Sequence, residues 1–417
     1  MESYFRLNSY IRFEKKSTEA CIYNLCNGDI IFLDEKKANI IEKCERNEAI
    51  SNLNNDELAF LNKLEEMGIG RYYDRKVYVE KMFLGQDADF ESTMKKNITF
   101  SRLFIEITNE CNLDCLFCNY LDEKAYRKTG CKRWYSNGRN LSIEQYKEVI
   151  RQAVPMGVKE VVFMGGEPFL EYEKMKELIQ YTKFLSVEKV VVYTNLTLLN
   201  EEILKIIKKF KVSLVVQVIS NNKEEFEYIS NKPLEVDIIK NISLLKNNNV
   251  DFSIKILVCR YNEDNIENMI SELNRVISTN KIQLDFIYPH NKIHHSPKYL
   301  NYIYSKKSKL FRVNLPMYSF YSKYNNCFGN QIALTLDGDI LPCIMTRKLK
   351  LGSIIEKQLH EILTDGKYES LQTLTKDKIQ GCKECVYRFG CIDCRAIEME
   401  YSNAIDETNY CECVNKG

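Results

Sequence analysis

The chain is poor in residues that break or loosen regular structure, with 16 Gly and 7 Pro in 417 residues. That shortage excludes a collagen-like or low-complexity chain and fits a folded protein with a sizeable core. A surplus of charge is also missing: the formal net charge is +1 at pH 7. Nothing in it would gather nucleic acid, which is not expected as a partner. The basic run Arg347, Lys348 and Lys350 is read as solvated surface. No stretch is apolar over the roughly 20 residues that span a bilayer, so no membrane partner is expected either. The residues after Met1 lack the apolar core of a secretory signal. A cytoplasmic location is the expectation.

Thiols stay reduced in that compartment and disulfides are rare. The 16 cysteines therefore need another account, and their clustering points to metal. Three lie within residues 111–118 and eight between Cys327 and the C-terminus. The other five, Cys21, Cys26, Cys44, Cys131 and Cys259, are scattered and read as small buried hydrophobes.

The length suggests two or three domains, and the patterning divides the chain into four regions. Residues 1–97 read as a small α+β, winged-helix-like module. An alternating run starts at Tyr10, and a hairpin joins Ala20–Leu25 to Ile30–Leu33 through Asn27-Gly28-Asp29. Apolar residues recur at helical spacing over 35–45 and Asn55–Met67, and a last strand is expected at Lys76–Val79. Residues 98–292 alternate strands with amphipathic segments of helix length. The strands are Leu103–Thr108, Val161–Met164, Val190–Thr194, Leu214–Ile219, Phe252–Val258 and Leu284–Tyr288. Helices include Ile143–Val154 and Glu201–Lys209. Such a rhythm implies βαβ units on a parallel sheet, and six units would curl into a partial (β/α)6 barrel of the TIM type. Residues 293–324 read as a connector. Residues 325–417 are Cys-rich and poor in apolar pattern, as in a domain held by metal.

The first cysteine cluster is Cys111-Asn-Leu-Asp-Cys115-Leu-Phe-Cys118, in a loop just after the first barrel strand. Active groups of parallel βα folds gather at the C-terminal ends of strands. A cubane iron–sulfur cluster usually takes four thiolates, so three leave one iron open to another ligand. The second strand runs into Met164-Gly165-Gly166-Glu167-Pro168. The glycines let a ligand approach the backbone, Glu167 offers an anionic acceptor suited to an amino group, and Pro168 fixes the turn.

These two motifs, with Phe117 before the last cysteine, resemble the radical S-adenosylmethionine (radical SAM) enzymes over about residues 101–290. In that family the open iron chelates the methionine part of S-adenosylmethionine. The reduced cluster cleaves it, and the 5′-deoxyadenosyl radical takes a hydrogen atom from substrate. The resemblance implies that Cys111, Cys115 and Cys118 hold the radical-generating [4Fe–4S] cluster. It places Phe117 near the adenine and Gly165, Gly166, Glu167 and Pro168 around the amino group. Thr194, Asn195, Gln217 and Ser220, at the ends of the third and fourth strands, are candidates for the ribose. Arg260, after the fifth strand, is a candidate for the carboxylate. The alternative reading of the first cluster is a structural zinc site lacking its fourth ligand.

Further on, Asp337-Gly338 between apolar alternations reads as a hairpin that sets Cys327 beside Cys343. Cys382-x2-Cys385-x5-Cys391-x2-Cys394 and the tail pair Cys411 and Cys413 follow. The set resembles the SPASM domain of auxiliary clusters, with two rather than three residues between Cys391 and Cys394. By that pattern Cys327, Cys343 and Cys394 hold one auxiliary cluster, whose fourth ligand stays open. Cys382, Cys385, Cys391 and a tail cysteine, Cys411 in preference to Cys413, hold a second. Three [4Fe–4S] clusters and S-adenosylmethionine are then the cofactors.

The N-terminal module resembles the small PqqD-like peptide-recognition element of many such enzymes, which binds a leader peptide by strand addition. The combined expectation is an oxidoreductase that crosslinks a ribosomally made precursor peptide carrying a leader, by a thioether in preference to a carbon–carbon bond. A flavodoxin- or ferredoxin-type protein would supply electrons. Asp393 is singled out as general base, and the loop Asn119–Asn140, with Arg133 and Trp134, faces either substrate or solvent. The competing readings are sulfatase-maturase-type oxidation of a Cys or Ser and a zinc-stabilised peptide-binding protein without catalysis.

Overall fold

The computed structural model describes residues 3–17, 19–82, 99–118, 126–127, 133–134, 136–288, 311–391, 394–402 and 404–408. Asp393, Cys131, Cys411 and Cys413 lie outside them.

The N-terminal strands are β1 (Tyr4–Leu7), β2 (Ile11–Lys16), β3 (Glu19–Asn24), β4 (Ile30–Leu33) and β5 (Gly70–Tyr73). β2, β3 and β4 form an antiparallel sheet, and β1 pairs with β5 in a second. The helices Glu35–Glu45 and Asn55–Glu66 follow β4. Asn54 and Glu57 close a capping box on the second helix, satisfying backbone donors at its start. The expected last strand is displaced. Lys76–Val79 is irregular with Tyr78 at 94% exposure, and the strand forms at Gly70–Tyr73 instead. A Cβ at Gly70 would lie 2.4 Å from the Phe5 ring, so only glycine lets β5 close on β1.

The main sheet contains all six predicted barrel strands: β6 (Arg102–Thr108), β8 (Glu160–Gly165), β9 (Lys189–Thr194), β10 (Ser213–Val218), β11 (Phe252–Val258) and β12 (Ile282–Tyr288). Neighbours in the order β6-β8-β9-β10-β11-β12 are parallel. The short β7 (Tyr126–Arg127) pairs antiparallel with β12 at one end. At the other end β13 (Gln331–Leu334) runs parallel to β6, followed by β14 (Asp339–Leu341) and β15 (Gly352–Ser353). The fold is α/β with a parallel-rich central sheet of the partial-barrel type, and the Cys-rich hairpin belongs to that same sheet.

Alternation on the strands divides two cores. Leu103, Ile105, Val161 and Phe163 pack against the helix layer, which includes Tyr146, Val149 and Ile150 of Ile143–Ala153. Phe104, Val162, Met164, Val191 and Tyr193 face the opposite side, where they meet Trp134, Phe328, Cys343 and Met345. Among the described residues no helix is long and apolar enough to cross a membrane.

Arg347 departs from the surface reading of its basic run. Its guanidinium donates to the buried Glu106 carboxylate at 2.7 and 3.1 Å and lies 4.5 Å from the centre of the Trp134 ring. Lys350 does sit at the surface, paired with Asp339. The connector is structured where described: Val313 and Leu315 donate backbone hydrogen bonds to Gly28 and Leu25, and Leu315–Tyr321 is helical. Cys21, Cys44 and Cys259 are buried as expected, whereas Cys26 is exposed.

Removing one partner of a buried ion pair leaves the other charge uncompensated. Arg347→Ala should therefore cost about 3–5 kcal/mol in denaturant unfolding. The double variant Glu106→Gln/Arg347→Met should lose less than the two single changes summed.

Candidate functional site

The cysteine loop leaves the end of β6 and is seated on the turn after β8. Gly165 has φ +145°, and a Cβ there would lie 2.2 Å from the Thr108 carbonyl oxygen. At Gly166 a Cβ would lie 2.0 Å from the Glu110 carbonyl oxygen. Gly166 N–H donates to Thr108 and Glu167 N–H to Glu110, both at 2.8 Å. Both glycines admit the backbone of the cysteine loop, and Gly166 also lines the pocket beside it. The far side of the loop is fixed by Asp114 and Leu116 N–H groups on the Ser230 and Ile229 carbonyls.

Donors surround the thiols. Cys111 Sγ accepts from Leu113 N–H at 3.4 Å and from Asn195 Nδ2 at 3.8 Å, and Cys118 Sγ accepts from Arg133 N–H at 3.4 Å. Burial pushes the Cys111 thiol up to about 11. A metal would reverse that, since coordination deprotonates a thiol outright.

The three cysteines line one pocket with Phe117, Gly166, Asn195, Gln217, Ser220, Arg133 and apolar residues of neighbouring strands. Among the described residues Arg133 is the one formally cationic side chain of that lining, and it is held by Asp114. Among the described residues no three His, Cys, Asp or Glu side chains converge as ligands of a single ion would. Thiolates of an iron–sulfur cluster need not converge on one point, because each binds a different iron. Three thiols around an apolar pocket with N–H donors and a cation fit such a cluster with a small polar molecule beside it.

The other expected ligand-site residues divide. Phe117 is buried in the pocket wall. Pro168 is buried at the start of the short 3-10 turn Pro168–Glu171. Asn195, Gln217 and Ser220 reach the pocket. Thr194 does not join the lining; its hydroxyl donates to Glu167 at 3.0 Å. Arg260 is exposed, 6.0 Å from the Tyr261 ring centre and outside the lining. Asn112, which sequence reading passed over, accepts from Asn195 Nδ2 at 3.0 Å and donates to Thr197 at 2.7 Å. A polar residue between two cysteines carries no periodic signal that could have singled it out.

Glu167 is fully buried, and its carboxylate accepts from Asn195 N–H at 2.8 Å, Phe169 N–H at 3.2 Å and the Thr194 hydroxyl. It thus ties the turn after β8 to the end of β9. Burial raises its carboxyl to about 7, against the lowering effect of those hydrogen bonds.

In the C-terminal region the hairpin β13–β14 brings Cys327 and Cys343 into hydrogen-bond contact, as expected. That bond lowers the Cys343 thiol, with help from Met345 N–H and the Arg347 charge. Cys394 packs with the same apolar group as these two. Cys385 and Cys391 pack in a different group, which includes Cys21 and Tyr23 of the N-terminal sheet. Cys382 is buried, with its Sγ 3.3 Å from the Thr408 hydroxyl. The packing thus separates Cys327, Cys343 and Cys394 from Cys385 and Cys391.

Glu167 carries a pH signature. Its folded value lies above that of the unfolded chain, so the fold binds the proton more tightly. Its contribution to stability is full below about pH 4 and is lost as pH rises towards about 7. In protein free of S-adenosylmethionine, the unfolding midpoint should fall across that window, and Glu167→Gln should flatten the fall.

Comparison with known proteins agrees with this arrangement. The radical SAM superfamily profile matches residues 105–273, and that of SPASM, an iron–sulfur cluster-binding domain, matches 327–386. An uncharacterised protein of Methanocaldococcus jannaschii is 26% identical over 46% of this chain and 64% of its own length. The antilisterial bacteriocin subtilosin biosynthesis protein AlbA of Bacillus subtilis is 24% identical over 62% of this chain and 58% of its own. The chain thus spans less than two thirds of the length of these curated relatives. The crystal structure of Streptococcus suis SuiB bound to precursor peptide SuiA superposes with a TM-score of 0.53 at 18% identity, covering 97% of this chain and 98% of SuiB. The chain thus carries a radical SAM domain over residues 105–273 and a SPASM iron–sulfur cluster-binding domain over residues 327–386.

Proposed function

We propose that this protein is a radical SAM maturase that crosslinks a precursor peptide within itself, by a thioether in preference to a carbon–carbon bond. The observation that carries the reading is that one sheet bears two separate cysteine groups. Cys111, Cys115 and Cys118 line a pocket at the C-terminal ends of parallel strands. Cys327, Cys343 and Cys394 belong to the apolar group that fills the sheet's other face, together with Trp134. Support also comes from the likeness to SuiB over nearly the whole chain and from AlbA, a bacteriocin biosynthesis protein.

In this reading Cys111, Cys115 and Cys118 hold a [4Fe–4S] cluster with S-adenosylmethionine beside it. When bound, that pair supplies one-electron cleavage and a radical able to take a hydrogen atom from a peptide carbon. The chain's own residues orient and enclose. The Gly165–Gly166 seat fixes the cysteine loop, Asn195 and the N–H groups of Leu113 and Arg133 face the thiolates, and Phe117, Ile219, Phe226 and Leu257 keep water out. Arg133, rather than the exposed Arg260, offers the methionyl carboxylate its cation. Cys327, Cys343 and Cys394 hold one auxiliary cluster, and Cys382, Cys385, Cys391 and a tail cysteine, Cys411 in preference to Cys413, hold a second. The leader of the peptide docks on the N-terminal module, and a flavodoxin- or ferredoxin-type protein delivers electrons.

Iron and sulfide per chain after anaerobic purification test the assignment. About twelve irons in the wild type should fall to about eight in the Cys111→Ala/Cys115→Ala/Cys118→Ala variant, as three cubanes require. 5′-Deoxyadenosine formation should disappear with them; its persistence would sink the assignment. Arg133→Met should weaken S-adenosylmethionine binding by roughly tenfold to a hundredfold, the worth of one charged hydrogen bond. Equilibrium dialysis checks this.

A further inference from the structure

The five residues between Cys385 and Cys391 contain no helix or strand. Each is held by the N-terminal sheet. The Val386 carbonyl accepts from the Tyr23 hydroxyl and from Cys21 Sγ. The Tyr387 ring stacks on Phe32, with centroids 6.0 Å apart and planes 11° apart. Arg388 Nη2 donates to Glu14 at 3.0 Å and its Nε to Asp377 at 2.6 Å, and this side chain is 7% exposed. Phe389 packs edge-on against Tyr23, with centroids 6.0 Å apart. At Gly390 a Cβ would lie 2.5 Å from Ile30 Cδ1.

The holding residues share one face of one sheet. Cross-strand register pairs Glu14 with Cys21, Cys21 with Phe32 and Tyr23 with Ile30. The alternate residues, Phe13, Ile22, Ile31 and Leu33, face the module's own helices. All three strands thus divide their side chains between a domestic core and a loop more than 350 residues away in sequence. A module serving only to bind a peptide has no need of an ion pair to the buried Arg388 of such a loop, because burying that charge costs desolvation.

We propose that Glu14 and Tyr23 are positioning residues of the site formed by Cys382, Cys385 and Cys391, and that the N-terminal sheet is a wall of that site. The inference rests on the reading that these cysteines hold an iron–sulfur cluster. A segment without secondary structure loses much conformational entropy when two ligands at its ends are fixed. Here the sheet fixes it beforehand, so Cys385 and Cys391 are preset for the metal. The module then has an assembly role in addition to peptide recognition.

The test uses the full chain reconstituted anaerobically, with iron and sulfide counted. Glu14→Ala/Tyr23→Ala should lose about four irons, one cubane, as should Cys385→Ala/Cys391→Ala. Combining the four changes should remove no more. Retention of wild-type iron by Glu14→Ala/Tyr23→Ala, or additive loss in the combined variant, overturns the proposal. If the double variant does not fold, Tyr23→Phe decides, since it keeps the ring and removes only the hydroxyl. A changed reduction midpoint of that one centre supports the wall, and an unchanged midpoint overturns it. Wild-type iron confined to the Cys111 group would instead remove the cluster reading itself.

Discussion

The site depends on one close approach between two backbones. The Cys111 loop lies against the turn after β8 because Gly165 and Gly166 present no Cβ to Thr108 and Glu110. A side chain at either position would intrude to about 2 Å on a carbonyl oxygen, far inside contact distance. With the glycines in place, two backbone hydrogen bonds close the gap, and Glu167 extends the tie to β9. The loop is thereby referred to two barrel strands, and its three thiols share one pocket with the ends of β10 and β11. Rigid strands under a short pinned loop are what a preorganised site needs.

A second constraint works across the sheet. β13 of the Cys-rich region is hydrogen-bonded beside β6, so the strand bearing Glu106 and the hairpin flanked by Cys327 and Cys343 have a fixed register. Arg347 reinforces this by reaching back to Glu106 and covering the Trp134 ring. Trp134 adjoins Arg133, whose N–H faces Cys118. The two cysteine groups are therefore linked through buried contacts.

The N-terminal module is integrated by the same means. Its three-stranded sheet has two apolar faces, and the second is covered by the segment between Cys385 and Cys391 and by the helix Leu315–Tyr321. Covering the second face reduces the exposed apolar surface that a free three-stranded sheet would present, leaving Phe32 half exposed at its edge.

Much of this was legible from residue order. The six barrel strands show as β-rich runs between helical periods, and the CxxxCxxC and GGEP motifs carry their meaning in local spacing. The hairpin at Asp337-Gly338 and its flanking cysteines are equally local. Tertiary packing alone decided the rest. The last N-terminal strand formed at Gly70 rather than Lys76, because the Phe5 ring from the chain's start needs the space a glycine leaves. Arg347 left the surface because Glu106, 241 residues earlier, awaits it in the core. Glu167 turned towards Thr194 and Asn195, and the pocket took Arg133 rather than Arg260, through contacts between distant segments. Local periodicity and motif spacing are short-range and survive in the string of letters. Which charges meet, and which glycines are crowded, depends on residues that only folding brings together.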